Sequence, residues 1–278
     1  HQIDLTFVGP EVPLAAGIVD DFQAIGLPIF GVTQKLAQLE SSKTFAKAFM
    51  HRHHLPTAAS KTVHSAIEAH AEATLMGLPL VLKKDGLAAG KGVVIANDAA
   101  TLDDTIEQFY AGHPDATVLL EEYLAGEEAS VMALFNDQRR VILPLSQDHK
   151  RRHAADRGPN TGGMGAISPL PQFKPDQVQA AQSLVDATLA GMHQDGLNGH
   201  GVMYIGLIFT KEGPKILEYN MRFGDPETQV LLPQIENDFY QLVSDLLDGQ
   251  QPTLKLNGLA YACFVAVNPD YPRANLKT

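Results

Sequence analysis

The sequence predicts an α/β protein of about two domains. Its 278 residues correspond to about two units of ordinary domain size. Short apolar, β-prone runs alternate along the chain with segments of helical spacing, which is the pattern that α/β folds produce. A glycine-rich stretch joins two of the predicted strands, and a long polar segment follows later. We therefore expect a small α/β domain followed by a larger one.

The beginning of the chain predicts the end of one α/β unit and then a broken helix. The first elements are two strands around a helix, at residues 3–8, 28–30 and 13–25. The helical pattern of 34–54 is interrupted at Ser41 and Ser42. Pro56 stops it, because the residue before a proline avoids the helical region. A new domain is expected to start near Thr57.

The next segment predicts the small α/β domain. Ser65 and Glu68 have the spacing of a capping box, and Gly77 ends the helix that they open. The remaining elements are strands at 80–83 and 93–96, a helix over 98–110 and a strand over 117–121.

The rest of the chain predicts the larger domain. Its expected elements are strands at 128–135 and 139–146, a helix over 175–192, a hairpin of 202–209 with 215–219, a helix over 238–247 and a strand over 259–267. Between 147 and 168 the chain is too polar and too rich in glycine for regular structure, and such long segments are usually functional or disordered. Cys263 lies in the last apolar run, where we expect a buried, inert thiol.

Composition excludes several classes of protein. The chain is 45% hydrophobic and 19% charged, which excludes low-complexity and collagen-like proteins. Its net charge of -11 has the wrong sign for coating nucleic acid or an anionic membrane. The longest apolar run is shorter than the roughly 20 residues of a membrane helix. We expect small-molecule partners and a soluble, cytoplasmic monomer. Because the chain begins with His1 rather than Met, we also expect a fragment or a processed product.

The glycine-rich stretch from Lys83 to Gly92 has the composition of a phosphate cradle. Glycines allow backbone amides to approach an anion, and the neighbouring lysines offset its charge. The stretch is not a Walker A loop, because Asp85 stands where that motif has glycine and a strand follows instead of a helix. The alternative is a solvated hairpin turn.

Two oxygen ligands come together at the end of the second hairpin strand. Glu218 and Asn220 are two residues apart and therefore point to the same face of a strand. A carboxylate with an amide carbonyl suits Mg²⁺ or Mn²⁺ that also binds phosphate oxygens. The alternative is a solvent-facing strand end.

Two further segments have the chemistry of substrate contacts. An apolar strand runs into an acidic linker at 119–128, where backbone groups can contact an adenine edge and a carboxylate can accept ribose hydroxyls. Some of these carboxylates are expected only to aid solubility. Residues 139–157 are locally basic, 158–165 offer backbone donors to an anion, and Arg222 can clamp a carboxylate or phosphate. A flexible surface loop is the alternative here.

Taken together, these strings resemble the phosphoribosylamine–glycine ligase family of the ATP-grasp superfamily. The matching strings run from DLTFVGPE at Asp4 to about Leu232 and include AQLESSK, KDGLAAGKGV, LLEEYLAGEEAS, SQDHKR, GPNTGGMGA and LEYNMRFGDPETQ. The resemblance implies an ATP-grasp fold, in which two α/β subdomains grip ATP after the tail of an N-terminal parallel α/β domain. The implied domains are 1–40 for that tail and 47–248 for the ATP-grasp domain, with a small ATP-lid subdomain at 57–120 and a larger subdomain at 121–267.

The resemblance also implies roles for individual residues. The implied ATP contacts are Lys43, Lys83, Gly86, Gly90, Lys91, Gly92, Glu121, Leu124 and Glu128. The implied metal ligands are Glu218 and Asn220, and Lys83 and Arg222 are the implied catalytic residues. Glycine and 5-phosphoribosylamine are expected to bind at Asp148, Asn160, Thr161, Gly162, Gly163, Arg222 and Asp225.

The implied reaction is ATP-dependent ligation in de novo purine biosynthesis. Glycine's carboxylate attacks the γ-phosphate, and the sugar amine then displaces phosphate from glycyl phosphate. No side-chain nucleophile is needed, since positioning and cationic stabilisation carry the catalysis. The alternatives are another ATP-grasp carboxylate–amine ligase and a truncated nucleotide-binding module without activity. The sequence Asn268-Pro269-Asp270-Tyr271-Pro272 departs from the family's Gly-Gly-Tyr-Pro-like turn.

Overall fold

A computed structural model describes residues 2–87, 92–155 and 157–272 and confirms the α/β class. The first unit contains β1 (Thr6–Phe7), α1 (Glu11–Ala15), α2 (Ile18–Ala24) and β2 (Ile29–Phe30), and the two strands pair in parallel. The single helix expected over 13–25 is two helices. Gly17 separates them with a φ of 90°, a left-handed conformation that interrupts a helix.

A broken helix then leads to the small lobe. It consists of α3 (Gln34–Ser41) and α4 (Lys43–Arg52), and the predicted break is confirmed at Ser42. Ser42 is extended, and its hydroxyl accepts a hydrogen bond from the Phe45 amide as the cap of α4. The break therefore starts a new helix whose first turn carries Lys43.

The small lobe is a four-stranded antiparallel sheet with two helices. Its elements are β3 (Ser60–Val63), α5 (Ala66–Met76), β4 (Leu80–Lys84), β5 (Val93–Ala96), α6 (Ala99–Tyr110) and β6 (Val118–Glu122), with strand order β3-β6-β4-β5. Ser65 caps α5 as expected, and Gly77 ends it. The capping box is only half formed, because the Glu68 carboxylate accepts from the His64 amide and not from the Ser65 amide.

The larger lobe contains the remaining elements. These are β7 (Glu127–Phe135), β8 (Arg140–Ile142), β9 (Gln147–Asp148), β10 (Arg151–His153), β11 (Arg157–Asn160), β12 (Gly165–Ser168), α7 (Pro175–Gln194), β13 (Gly201–Thr210), β14 (Gly213–Asn220), α8 (Thr228–Leu231), a 3-10 turn (Leu232–Gln234), α9 (Phe239–Leu247) and β15 (Tyr261–Phe264). The central sheet has the order β14-β13-β7-β8, a smaller sheet has the order β15-β12-β9, and β10 pairs with β11. In the part of the chain that the structure describes, no helix combines the length and apolarity needed to cross a bilayer.

Two expectations for this lobe are wrong. The segment over 147–168 is not irregular, since β9, β10, β11 and β12 all lie within it and are held by pairing between strands. Cys263 is half-buried, not buried, because β15 lies at a sheet edge and leaves part of its side-chain surface open. The neighbouring Phe264 is 90% exposed.

The first unit packs directly on the larger lobe. The Phe7 ring lies 5.3 Å from Phe30 and 5.8 Å from Phe223, measured between ring centroids. Phe30 belongs to the same buried cluster as residues of β13 and α9. This packing places the start of the chain beside the end of β14, where the predicted site residues are found.

Candidate active site

A cleft of about 760 Å³, counting the solvent space at its mouth, lies between the two lobes. Its walls come from α3 and α4, from β4 and β6 of the small lobe, and from the end of β14. Residues predicted for the site that line this cleft are Lys43, Lys83, Gly86, Gly92, Glu121, Glu218, Asn220 and Arg222.

Three buried charged groups form the floor of the cleft. The Glu121 carboxylate lies 2.7 Å from Lys47 Nζ and 2.8 Å from Lys83 Nζ. Each of the three side chains is less than a tenth exposed. Burial lowers the pKa of Lys47, and the charge of Glu121 opposes that shift. We call this group the Lys47–Glu121–Lys83 cluster.

The glycine-rich loop is tied to the start of α4 by Asp85. Its carboxylate accepts from the Lys43 amide at 2.6 Å and from the Thr44 hydroxyl at 2.8 Å. The Lys43 ammonium in turn donates to the Gly86 carbonyl at 2.7 Å. Burial lowers the pKa of Lys43 against the opposing charges of Glu218 and Asp85. Gly90 and Lys91 lie outside the described residues.

Glu218 and Asn220 face the cleft together, as their spacing predicts. Both are half-buried, whereas Tyr219 between them is buried in the core of the larger lobe. The Lys150 ammonium lies 4.0 Å from the Glu218 carboxylate. Burial acts to raise the pKa of Glu218, but Lys150 and other nearby cations outweigh it and hold that pKa below its usual value. The carboxylate is therefore ionised at neutral pH.

Arg222 is held by other protein groups. Its Nε lies 3.1 Å from the Glu11 carboxylate and 3.2 Å from that of Glu40. Its Nη1 donates to the Phe223 carbonyl, and its Nη2 lies 3.4 Å from the Asn220 side-chain oxygen. Burial raises the pKa of Glu40 despite the opposing charge of Arg222. Arg222 thus orients Asn220, and any anion would have to share its guanidinium with two carboxylates.

The loop over 158–165 does not present the open set of donors expected from its glycines. The Thr161 amide donates to the Lys150 carbonyl, the Gly162 amide to the Tyr271 hydroxyl, the Gly163 amide to the Thr161 hydroxyl and the Met164 amide to the His149 carbonyl. These amides are committed to protein acceptors in this structure. The anion-cradle interpretation of this loop stays a prediction, and an anion bound there would have to replace these protein acceptors.

Glu227 is a buried carboxyl that interacts with Asp148. Burial, together with the charge of Asp148, raises the pKa of Glu227 to about 7. The Ser130 hydroxyl donates to the Tyr204 hydroxyl at 2.7 Å in the same region. Asp148 also lies 3.7 Å from the Lys150 ammonium, so this acidic group is linked to the cations of the cleft.

The other predicted residues that the structure describes do not line the cleft. Leu124 lies in the linker between β6 and β7, and Glu128 lies in β7. Asn160, Gly162 and Asp225 are exposed, while Thr161 and Gly163 are buried. The Asp225 carboxylate accepts from the Gln229 side chain at 2.6 Å.

Three charged residues of the cleft wall were missed from the sequence, namely Glu11, Glu40 and Lys47. A signal existed for Lys47, because it follows Lys43 by four residues and a helix places such residues on the same face. For Glu11 and Glu40 the sequence holds no comparable signal.

Two α/β lobes that enclose a lysine-lined cleft, with a carboxylate and an amide on one strand end, define an ATP-grasp protein. The biotin carboxylase domain of a 2-oxoglutarate carboxylase from Hydrogenobacter thermophilus, solved with MgADP and bicarbonate, has this fold with a TM-score of 0.72 at 18% identity, covering 93% of this chain and 57% of that one. More specifically, the chain belongs to the phosphoribosylglycinamide synthetase family. The N domain of the family matches residues 1–40, and its ATP-grasp (A) domain matches residues 41–228.

Individual relatives agree with this membership. The phosphoribosylamine–glycine ligase of Halalkalibacterium halodurans is 46% identical over 277 residues, which cover 98% of this chain and 65% of the relative. The crystal structure of the same enzyme from Thermotoga maritima has a TM-score of 0.82 at 34% identity, covering 92% of this chain and 66% of that one. The chain therefore spans about two thirds of the length of these relatives.

Proposed function

We propose that the protein ligates glycine to 5-phosphoribosylamine with ATP, giving glycinamide ribonucleotide, ADP and phosphate in de novo purine biosynthesis. The observation that carries the proposal is the cleft, where Lys43 and Lys83 lie opposite Glu218 and Asn220. Family membership and the names of the relatives support this choice of substrates. The protein is expected to act on small molecules as a cytoplasmic monomer, with no nucleic-acid or membrane partner.

The lysines of the cleft suit the phosphates of ATP. Lys43 and Lys83 are the phosphate contacts in this proposal, with the loop from Gly86 to Gly92 covering the nucleotide. Leu124, Glu121 and Glu128 are the proposed adenine and ribose contacts. A site of this kind accelerates phosphoryl transfer by positioning the reactants and stabilising the transferring charge.

The residues at the end of β14 fit a hard divalent cation. Glu218 supplies an ionised carboxylate and Asn220 an amide oxygen, the donors that Mg²⁺ and Mn²⁺ accept. Among the described residues, no three His, Cys, Asp or Glu side chains cluster as a metal site. The cation would therefore complete its coordination with phosphate oxygens and water, and it would neutralise charge on those phosphates.

The reaction in this proposal has two balanced steps. A glycine carboxylate oxygen bonds to the γ-phosphorus as the bond to ADP breaks. The amine nitrogen then bonds to the glycyl carbonyl carbon, the carbon–oxygen bond to phosphate breaks, and the amine loses a proton. Asp148, Arg222, Asp225 and the loop over 158–165 are the proposed contacts for glycine and phosphoribosylamine.

Calorimetry and coupled ADP release test the proposal. MgATP titrated into the 278-residue chain should bind, and ADP should form only when glycine and phosphoribosylamine are both present. The Halalkalibacterium relative provides a positive control. Turnover with another carboxylate in place of glycine would favour a different ATP-grasp carboxylate–amine ligase. ATP binding without turnover would favour a nucleotide-binding module without activity. Absence of ATP binding would overturn the proposal.

A further inference from the structure

Among the described residues, Lys47 differs from Lys43 and Lys83 in having three protein acceptors within 3.3 Å of its ammonium. An ammonium group has three N–H donors. Those of Lys47 face the Glu121 carboxylate at 2.7 Å, the Thr57 hydroxyl at 2.7 Å and the Ala58 carbonyl at 3.3 Å. The Thr57 hydroxyl itself donates to the Ile216 carbonyl, which fixes it as an acceptor for Lys47. Lys47 is therefore placed to hold Glu121 and not to contact a ligand.

Lys83 keeps one donor available on the cleft side. Within the described part of the chain, its ammonium contacts the Glu121 carboxylate at 2.8 Å and the Leu217 carbonyl at 3.0 Å. One N–H remains for an anion in the cleft. The value of that donor to a phosphate depends on whether the charge of Lys83 is cancelled by Glu121.

The charge of the cluster depends on Lys47. With two ammonium groups and one carboxylate, it carries one net positive charge in a buried setting. Without Lys47, Lys83 and Glu121 would form a neutral pair, and a phosphate would meet no net charge there. Coulomb interactions are strong at partly desolvated positions, so this difference should be large.

We propose that Lys47 is a positioning residue that neutralises Glu121 and so leaves the charge of Lys83 available to a nucleotide phosphate. The inference rests on the proposed ATP site and adds a role that the phosphate lysines themselves do not have. A purely structural ion pair joining α4 to β6 would make a different prediction, because the pair is also absent from a variant that lacks both charges, and such a variant would not recover native binding.

A double-mutant cycle separates the two roles. The variants are Lys47→Met, Glu121→Gln and their combination, with Lys47→Arg as the conservative change and the exposed Lys61→Met as the matched control. The readouts are the dissociation constant of MgATP by calorimetry at fixed salt and the thermal midpoint of each variant. The double variant has the same net charge as the native cluster.

Lys47→Met should weaken MgATP binding by about tenfold or more, equivalent to about 1.4 kcal/mol. The double variant, which has the net charge of the native cluster, should bind MgATP within about threefold of the native chain. Lys47→Arg and Lys61→Met should bind like the native chain. If Lys47→Met does not fold, the role of Lys47 is tested by comparing the MgATP dissociation constant of the double variant with those of Glu121→Gln and the native chain.

Native-like MgATP binding by Lys47→Met would overturn the role of Lys47 while leaving the ATP site intact. A double variant that binds about tenfold more weakly than the native chain would do the same. Failure of the native chain to bind MgATP would instead overturn the proposed function, and this role of Lys47 with it.

Discussion

The Asp85 carboxylate in the small lobe accepts a 2.6 Å hydrogen bond from the backbone amide of Lys43, the first residue of α4. The same carboxylate accepts from the Thr44 hydroxyl, so one side chain satisfies two donors at the helix start. A negative charge at a helix N-terminus is also favoured by the helix dipole. The start of the glycine-rich loop, at Asp85 and Gly86, and the helix with Lys43 are thereby held together.

Asp85→Ala should reduce both stability and ATP affinity. Loss of a capping carboxylate costs about 1 kcal/mol of unfolding free energy, measured by urea denaturation. MgATP binding should weaken by about tenfold, about 1.4 kcal/mol, because Lys43 loses its fixed position. Asp98→Ala is the matched control, since Asp98 caps α6 away from the cleft. It should lower the thermal midpoint only, and a similar loss of ATP binding in both variants would contradict the prediction.

Lys83→Ala should weaken MgATP binding far more than Lys84→Ala. Lys83 is buried at the cleft floor, whereas Lys84 is half-buried and lies outside the cleft wall. Strand alternation sends the two side chains to opposite faces. We expect a loss of about tenfold or more for Lys83→Ala and less than about twofold for Lys84→Ala by calorimetry. Equal losses for the two variants would show that the face of the strand on which a lysine lies does not determine phosphate binding.

Glu218→Gln should impair use of the divalent cation. The change removes the charged member of a two-residue ligand set and keeps its shape. The Mg²⁺ concentration for half-maximal ATP turnover should rise by about tenfold or more. Glu212→Gln is the matched control, because Glu212 lies between the strands of the same hairpin and is 78% exposed. Native-like Mg²⁺ dependence of Glu218→Gln would rule out the metal assignment.

Glu227 should make stability fall as pH rises. Its pKa is raised from 4.5 to about 7 by burial and by Asp148, so the folded state binds more protons than the unfolded state between these values. The stabilising contribution is therefore greatest below pH 4.5 and is lost as pH rises through 7. Glu227→Gln should gain roughly 2 kcal/mol relative to the native chain between pH 5 and 8, since one pKa unit is worth about 1.4 kcal/mol.

Urea denaturation at several pH values measures this difference. Glu236→Gln is a suitable control, because Glu236 is exposed and should give a pH profile parallel to the native one. If Glu227→Gln also follows the native profile, then Glu227 does not titrate in this range.

The sequence predicted the parts of the fold that have local signals. The helix break was predicted at Ser41 and Ser42, and the Ser42 side chain caps the helix that follows it. The second helix of the small lobe was predicted to start at 98, and the Asp98 side chain caps it there. Glu218 and Asn220 were placed together by strand alternation alone. These features depend on residues a few positions apart, and for this reason a sequence pattern contains them.

Features set by distant neighbours were not predicted. The exposure of Cys263 depends on what covers the edge strand β15, and the amides of 161–164 depend on acceptors as remote as Tyr271. The burial of Lys47 follows from Glu121, more than 70 positions later in the chain. A lysine on a helix is usually exposed, so only the tertiary fold identifies this one.

The placement of Arg222 has a consequence for chimeric proteins. The family's N domain ends at residue 40, yet its last residue, Glu40, and Glu11 both pair with an arginine of the ATP-grasp domain. The boundary between the two sequence segments thus divides one ionic group. If the first 40 residues were replaced by a segment without these two acids, the half-buried Arg222 guanidinium beside Asn220 would lose both carboxylate partners. Exchange between relatives should therefore succeed only when Glu11, Glu40 and Arg222 are inherited as a set.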